Sequence, residues 1–587
     1  MFNLLSKKET WLPIVALIVI SGFIYSFNLS NQLFWDDDDW IVNNNFVHDV
    51  SWSNIKFWFT DNALAGIGLK SNYYRPFLFF TFALNYIVAG TKPLIYHLTS
   101  NVVHIFSGVL VFWLVREVFK RKLLAFLVAI LFLIHPLQTE AVTYIAGRGD
   151  ALVAMFMLLA LVLFYRAETR NEGWLAINKI LSLIFLVLGL LSRETGIIFP
   201  VLAVAFYISV LSKQRFVKSI GEGFIRTWPY FVVVFVYGIL RLTSLNFLDT
   251  LNFYEEPNLY SENLYVRFFT FLPILWEYLK LLVAPVGLHM ERGGVVYDSL
   301  LRWPVWPMFL SLAGLLAWLV YLYKKNTHSF KIWLLGSSWF FIALGPVSGV
   351  TPINALMYEH WLYLPMVGFW LIISFYLVKL FDYLKSRKLS TFYFLLSTFL
   401  IVYLSFFVYQ SIQRNLLWGN SLEFYKSILK YEPGSVRINN NVGNTYYNQG
   451  NKEQAEFYYR KAIESDDLFA QPYFNLGTIL QSKGDVGGAM LLYEKAIKIN
   501  PNFYYPYQSL AFIYAQQGNL VKAADNIEKL KILIPTNSRT YYNSALVYLA
   551  MNNKEQALKD LRLGLKYTES DPDIGILIRE LIKRLEN

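Results

Sequence analysis

The chain has 587 residues, of which 56% are hydrophobic, 18% aromatic and only 16% charged, and it carries a formal charge of +11. Soluble domains run at roughly 25% charged residues, so this composition excludes a simple string of soluble domains. Much of the basic excess falls in short clusters between apolar segments, which is how topology is written in membrane proteins and not how a nucleic-acid surface looks. The chain has no cysteine, which removes disulfides, thiolate catalysis and cysteine-ligated metals.

In chain order, the apolar run 11–27 follows Lys7 and Lys8 and lacks a small-residue cleavage site after it, so it reads as a retained first span. A helix crosses about 30 Å of hydrocarbon in roughly 20 residues. The stretches that fit are 11–27, 96–118, 123–137, 151–166, 175–192, 196–212, 228–245, 304–323, 332–346, 361–384 and 390–410. The clusters Lys120-Arg121-Lys122, 213–226, Lys324-Lys325 and 385–388 are expected in the cytoplasm. All four agree only if the apolar stretches 76–90 and 268–284 lie at the outer interface instead of crossing. Arg75-Pro76 precedes the first, and Pro273, Glu277 and Lys280 interrupt the second. The reading is then eleven spans, with the N-terminus inside and residue 411 onward outside. The external loops are 28–95, 138–150, 193–195, 246–303 and 347–360.

Polar residues collect in those loops. The first carries Phe34-Trp35-Asp36-Asp37-Asp38-Asp39-Trp40. Crowded carboxylates raise one another's proton affinity, and a carboxylate held that way can act as general base toward a hydroxyl. The same run could gather a divalent cation, or be a solvated acidic loop between aromatic anchors. The same face also carries Tyr74-Arg75-Pro76, His97 and His104, and His135 through Glu140. Further along come Gly147-Arg148-Gly149-Asp150, Ser192-Arg193-Glu194 and the run from Glu359-His360 to Pro365. Charge at a span end is costly unless it pairs or binds something. Arg75, Arg148 and Arg193 could together hold a phosphate or pyrophosphate. The plainer alternative pairs Arg148 with Asp150 and Arg193 with Glu194. His135, before Pro136, reads as a helix-end residue.

After the last span the period becomes 34. Gly443, Gly477, Ala511 and Ala545 keep that step, as do Gly450, Gly484, Gly518 and Asn552. Ala455, Ala489, Ala523 and Ala557 follow it, and so do Pro433, Asp467, Pro501 and Pro535. Small residues where paired helices touch, a turn glycine and a closing proline define four tetratricopeptide repeats after a half-repeat at 421–434. Such arrays present a curved surface to peptides or partner proteins. Asn441, Asn475 and Asn543 recur in register, with Ser509 between them. They form either a ladder that grips peptide backbone or ordinary repeat positions.

The ordered set 35–44, 74–76, 96–98, 135–142, 147–152, 192–196 and 359–365, followed by these repeats, spans almost the whole chain. It resembles bacterial relatives of the transmembrane and tetratricopeptide-repeat O-mannosyltransferases. Those are membrane glycosyltransferases of the class C type that use polyprenyl-phosphate-linked sugars. The resemblance implies an all-α fold, with a multi-spanning catalytic unit at 1–411 and a repeat unit at 412–587. It implies transfer of mannose or another hexose, with inversion, from a polyprenyl-phosphate donor to an acceptor hydroxyl, a Ser or Thr of a protein held by the repeats. By the same resemblance an acidic residue of the first external loop is the base, here Asp36 or Asp37, and Arg75, Arg148 and Arg193 contact the donor phosphate. Asp38 and Asp39 extend the acidic pair beyond the family's pattern. They stand as supporting residues with His97, Glu140, Asp150, Glu194, Glu359 and His360. No metal or other cofactor and no nucleic-acid partner is expected. The expected location is a bacterial inner or plasma membrane, with site and repeats on the outer face.

No phosphate-cradling glycine loop is present, and none is required when the leaving group is already a phosphate. A transporter would place ionisable residues near the span centres, whereas here they gather at one face. A non-enzymatic scaffold would need one span for anchoring, not eleven. The nearer alternative is a ligase or polymerase acting on lipid-linked glycans.

Overall fold

The computed structural model describes residues 8–67, 71–169, 175–247, 258–325, 328–353 and 355–586. Lys7 and residues 248–257 of the expected loop 246–303 lie outside the described residues. Among the described residues every regular element is a helix, so the fold is all-α. The chain divides into two compact units, Met1–Ser421 and Leu422–Asn587.

The first unit contains α1 (Lys8–Ser26), α2 (Trp52–Thr60), α3 (Pro76–Ala89), α4 (Pro93–Phe119), α5 (Lys122–Ile134) and α6 (Thr139–Val142). It continues with α7 (Arg148–Thr169), α8 (Leu175–Ser192), α9 (Phe199–Phe206), α10 (Phe216–Leu242), α11 (Leu259–Glu262) and α12 (Leu264–Val283). Four more complete it: α13 (Val305–Lys324), α14 (His328–Leu344), α15 (Pro365–Ser386) and α16 (Ser390–Leu417). Among the described residues eight helical stretches are long and apolar enough to cross a membrane, and α5 with the segment 136–142 makes a ninth if that bent pair is one span. The unit is that of an integral membrane protein.

Two of the eleven expected spans, 11–27 and 175–192, coincide with apolar helices of shorter length, Trp11–Ser26 and Ala176–Ser192. The expected span 228–245 is the second half of α10, which starts at Phe216. Residues 216–226 of the basic stretch are therefore helix and not loop, because nothing before Pro229 interrupts the helical backbone. The stretch 268–284, read as interrupted, is a continuous helix that carries Pro273 within it.

Burial shows which helices form the centre. In α7, 78% of the apolar stretch is buried, against 6% in α16. A helix that is apolar all round belongs in the interior, and α7 packs against α4 and α8. Pro136 bends α5 and its continuation by 51°, since its ring cannot continue the helical hydrogen bonding. His135 stands at that break. Its Nε2 donates to the Leu282 carbonyl at 3.0 Å, and its Nδ1 accepts the Leu137 amide.

Polar side chains then lock the helices at one end of the bundle. Asn28 and Asn101 exchange amide hydrogen bonds at 3.0 and 2.9 Å. Asn28 also donates to Thr143, whose hydroxyl donates to Asn415 at 2.5 Å, and Asn415 donates to the Ile24 carbonyl. Buried polar groups must be paired, and pairing these three amides and one hydroxyl fixes α1, α4, α6 and α16 against one another.

The second unit begins with α17 (Ser421–Leu429). Helix pairs follow: α18 (Val436–Asn448) with α19 (Lys452–Ser465), and α20 (Ala470–Ser482) with α21 (Val486–Ile499). Next are α22 (Tyr504–Gln516) with α23 (Leu520–Leu533), then α24 (Ser538–Ala550) with α25 (Lys554–Gly564) and the closing α26 (Pro572–Glu586). Each pair turns on a left-handed residue: Gly450, Gly484, Gly518 and Asn552 have φ of 80°, 88°, 73° and 60°. The residue after each caps the next helix through its side chain, Asn451 to Gln454 N, Asp485 to Gly488 N, Asn519 to Lys522 N and Asn553 to Gln556 N. The 34-residue repeat of the sequence is thus a repeat of turn and cap.

Candidate active site

The acidic run does not lie loose in solvent. Trp35 takes φ of +64°, an outlier for a bulky residue. Asp38–Val42 forms a single π-turn closed by Asn43 N on the Asp38 carbonyl at 2.8 Å. Both features are common where a backbone is held for function. They turn the four carboxylates in different directions. Asp37 is 3% exposed and accepts the Ala146 amide on Oδ1 at 2.8 Å. Asp36 is half-buried and accepts the Tyr144 hydroxyl on Oδ2 at 2.5 Å. Asp38 is exposed and Asp39 half-buried.

Mutual repulsion is the smaller cause of the raised proton affinity of Asp37 and Asp39. Burial is the larger cause. It pushes Asp37 up to about 8, with Asp36 and Asp38 adding to it against the Ala146 hydrogen bond. It pushes Asp39 up to about 6, again with neighbouring carboxylates adding. Tyr144 is raised by burial first and by Asp36 next, so its hydroxyl keeps its proton and donates.

The basic residues divide into two kinds. Arg75 donates through Nε to Glu194 at 3.4 Å, and Glu194 also accepts the Tyr74 amide at 3.1 Å. The Arg75 guanidinium lies 4.5 Å from the Tyr73 ring and 5.4 Å from the Trp40 ring, beside the acidic turn. Arg193 pairs with Asp150. The pairing is therefore crossed relative to the sequence reading: Arg193 takes Asp150, and Glu194 takes Arg75. Adjacent side chains such as those of Arg193 and Glu194 point apart, because Arg193 is extended (φ −162°, ψ 143°) before the helical turn at Glu194.

Arg148 is of the second kind. It is fully buried and donates to Ser100, Thr81, Asn85 and the Tyr96 carbonyl at 2.8 to 3.1 Å. Those partners sit on α3 and α4, so Arg148 staples the start of α7 to both. The structure leaves it no face toward a phosphate, which takes it out of the expected phosphate set. His97 is likewise buried, with Nε2 donating to the Asn31 carbonyl at 3.1 Å. His104 donates to the Leu133 carbonyl and accepts the Tyr363 hydroxyl.

Glu140, Glu359 and His360 are brought together. His360 Nδ1 meets Glu140 Oε1 at 2.6 Å, and its Nε2 lies 3.9 Å from Asp150 Oδ2. Glu140 also accepts the Glu359 amide at 3.2 Å. Glu359 is fully buried between Arg292 Nη2 at 2.9 Å and Arg414 Nη2 at 2.7 Å, and accepts the His289 amide at 2.8 Å. A buried carboxylate needs such compensation. Asp150, Thr195, His360, Trp361 and Tyr363 line one small cleft. Among the described residues no group of three or more His, Asp or Glu side chains is arranged to hold a metal ion.

Sequence reasoning missed Tyr144, Arg292, Arg414 and Trp418. Arg414 stands at the end of α16, where the cost of span-end charge could have flagged it. Tyr144 and Trp418 carry no charge or motif, and only the fold brings them to Asp36. In the repeat unit, Asn475 donates its amide to Asn440 and Asn444 at 2.9 and 3.0 Å, linking two neighbouring repeats. Asn475 is half-buried there. Asn543 is exposed and Asn441 half-buried.

A multi-spanning helical unit with an acidic turn, paired arginines and a repeat arm defines a class of membrane protein, and the comparisons narrow it. Residues 74–238 match the family described as dolichyl-phosphate-mannose-protein mannosyltransferase. Residues 436–467, 470–503 and 538–571 match the tetratricopeptide repeat. Among curated proteins, a protein O-mannosyl-transferase of Caenorhabditis elegans is 26% identical over 466 residues, covering 78% of this chain and 63% of that protein. Protein O-mannosyl-transferase TMTC1 of Homo sapiens is 26% identical over 515 residues, covering 79% of this chain and 57% of that protein. The chain thus resembles the O-mannosyl-transferases over most of its length, while spanning less than two thirds of theirs. Among solved structures, a crystal structure of MamA protein aligns with 26% of this chain and 82% of its own at 25% identity, with a TM-score of 0.23.

Proposed function

We propose that this chain is a membrane glycosyltransferase that moves a hexose, mannose in the first instance, from a polyprenyl-phosphate donor to a hydroxyl of a protein acceptor. The observation that carries the reading is the Asp36 carboxylate. It is the member of the Asp36–Asp37 pair that is open to a substrate, and a buried phenol orients it.

In this reading the donor phosphate lies at Arg75 and Arg193, which flank the acidic turn and the Asp150–His360 cleft. The acceptor oxygen attacks the sugar's anomeric carbon from the face opposite the phosphate. As the new C–O bond forms, the bond to the phosphate oxygen breaks and its electron pair leaves with the polyprenyl phosphate. The acceptor's proton passes to Asp36, and the attack inverts the anomeric carbon. Preorganised cations stabilise the charge growing on the leaving phosphate. An apolar groove of about 250 Å³, lined by α12, α13, α14 and α15 residues such as Leu312, Phe340 and Ile372, suits an isoprenoid tail. The repeat unit holds the acceptor polypeptide, with Asn441 and Asn543 among its contacts. Glu140, Glu359 and His360 keep the loops around the site in place.

The test is Asp36→Asn in the full-length chain reconstituted with a polyprenyl-phosphate-linked mannose and a Ser/Thr-rich polypeptide. General-base catalysis contributes roughly 10²–10⁴-fold, so transfer should fall by about two orders of magnitude or more with the melting temperature unchanged. Unaltered transfer in that variant overturns the assignment.

A further inference from the structure

The last turn of α16 closes over the acidic turn. Trp418, just past the helix, is 2% exposed. Its ring stacks on Tyr144 with centroids 5.4 Å apart and planes at 20°, and lies 5.7 Å from Phe34. Tyr144 in turn donates to Asp36 Oδ2. The flanking residues are clamped as well. The Asn415 side chain bonds Thr143 and the Ile24 carbonyl, and its own carbonyl accepts the Asn31 amide at 2.8 Å. A Cβ at Gly419 would stand 2.8 Å from Asn31 Oδ1 and 3.1 Å from the Leu416 carbonyl, so this passage admits only glycine without displacement. Residues 415–419 are therefore fastened to both segments that carry the Asp36–Tyr144 pair.

We infer that Trp418 is a positioning residue for the transfer reaction, acting on Asp36 through Tyr144. The inference rests on the reading of Asp36 as the base. A tyrosine oxygen lies on the Cβ–Cγ axis, so turning the ring about that bond leaves it in place, whereas tilting the ring about the Cα–Cβ bond swings it through several ångströms. The flat indole face removes that freedom and holds the hydroxyl where it orients Asp36. A misplacement of about 1 Å can cost 10²-fold in rate, so the stacking matters to turnover more than to folding. A residue that merely fills space would be replaced equally well by any side chain of similar bulk. A residue that orients a ring requires another flat ring.

The experiment compares Trp418→Leu, Trp418→Phe, Tyr144→Phe and the Trp418→Leu/Tyr144→Phe double variant in the reconstituted full-length chain, with Asp36→Asn in parallel. Trp418→Leu should lower kcat roughly tenfold to a hundredfold, with KM for donor and acceptor within about twofold. Trp418→Phe should retain turnover within about threefold. The double variant should be no slower than Tyr144→Phe alone, because residues acting through one link are non-additive. Normal turnover in Trp418→Leu overturns the inference, as does a loss that multiplies with that of Tyr144→Phe or one that appears only in KM. If Trp418→Leu does not fold, Tyr144→Phe and Trp418→Phe test the same link: a normal kcat in Tyr144→Phe overturns it. An inactive Asp36→Asn beside normal Trp418 and Tyr144 variants sinks this inference alone. A fully active Asp36→Asn sinks the base assignment and the inference with it.

Discussion

Asp37 is buried on the 144–147 turn, and a proton on it costs the folded chain nothing that it needs. Its Oδ1 accepts the Ala146 amide in either protonation state. Burial pushes the carboxyl from 3.8 up to about 8, so the sign of its pH effect follows directly. Between about pH 4 and pH 8 the unfolded chain has released this proton while the folded chain keeps it. The unfolded state then binds fewer protons, and stability falls as pH rises through that window. Below it both states are protonated, and above it both are ionised. Asp37→Asn fixes the neutral form and keeps the acceptor, so its melting temperature should lose the decline that this carboxyl imposes from pH 5 to pH 8. Parallel declines in the two proteins would show that the proton lies elsewhere. At this scale the sequence named most of the ionisable residues and little of their pairing. Asp150 and Arg193 come from different loops, as do Glu194 and Arg75. Which charge meets which is decided by helix packing over long chain separations, and local spacing is silent about it. Arg148 shows the same limit in reverse. Its motif looks like an exposed phosphate contact, and four neutral acceptors on α3 and α4 bury it.

The repeat pairs were legible because their packing is periodic, and the period encodes a size rule. A Cβ on Gly443 would stand 2.5 Å from the Tyr459 ring, and one on Gly477 would stand 2.7 Å from the Tyr493 ring. In the next two repeats the small residue is alanine, and the residue in the tyrosine position is Ile527 or Leu561, packed in the same clusters as Ala511 and Ala545. Glycine faces tyrosine, and alanine faces an aliphatic side chain. Overpacking a close-packed core costs about 1–3 kcal/mol. Gly477→Ala should therefore destabilise α20 and α21 by about that amount, read as faster hydrogen exchange of that pair in the full-length chain. Adding Tyr493→Ile, which reproduces the third repeat's pairing, should recover most of the protection. A Gly477→Ala variant with unchanged exchange would refute the size rule. The membrane helices were less legible at their ends. Apolar length locates a span, but α10 starts twelve residues before the expected 228. Apolar content also does not distinguish the buried α7 from the peripheral α16.

At the scale of the whole molecule, the functional reading requires that the acidic turn and the repeat unit meet the same aqueous compartment. That is a parity statement: the chain must cross the membrane an even number of times between Asp36 and Ser421. The expected arrangement supplies ten crossings there, from 96–118 to 390–410. Among the described residues, length and hydropathy alone give eight long helices, or nine with the bent pair, and leave α1, α3 and α8 to be decided by charge. An error at any one of them reverses the sidedness of everything after it, so sidedness needs its own measurement. The absence of cysteine makes that measurement direct, since a single introduced thiol is the only one in the chain. Ser465 is exposed in the repeat unit, and Ser386 is exposed at the end of α15, within the basic cluster 385–388. Basic clusters stay on the cytoplasmic side. In intact cells a membrane-impermeant maleimide should therefore label Ser465→Cys and leave Ser386→Cys unmodified until the membrane is opened. Asn45→Cys, in the loop that carries the acidic turn, should label together with Ser465→Cys. If the thiols at 45 and 465 fall on opposite sides, an odd number of crossings separates them. The repeat unit then cannot present a polypeptide to Asp36, and the protein acceptor would have to be abandoned in favour of a lipid-linked glycan.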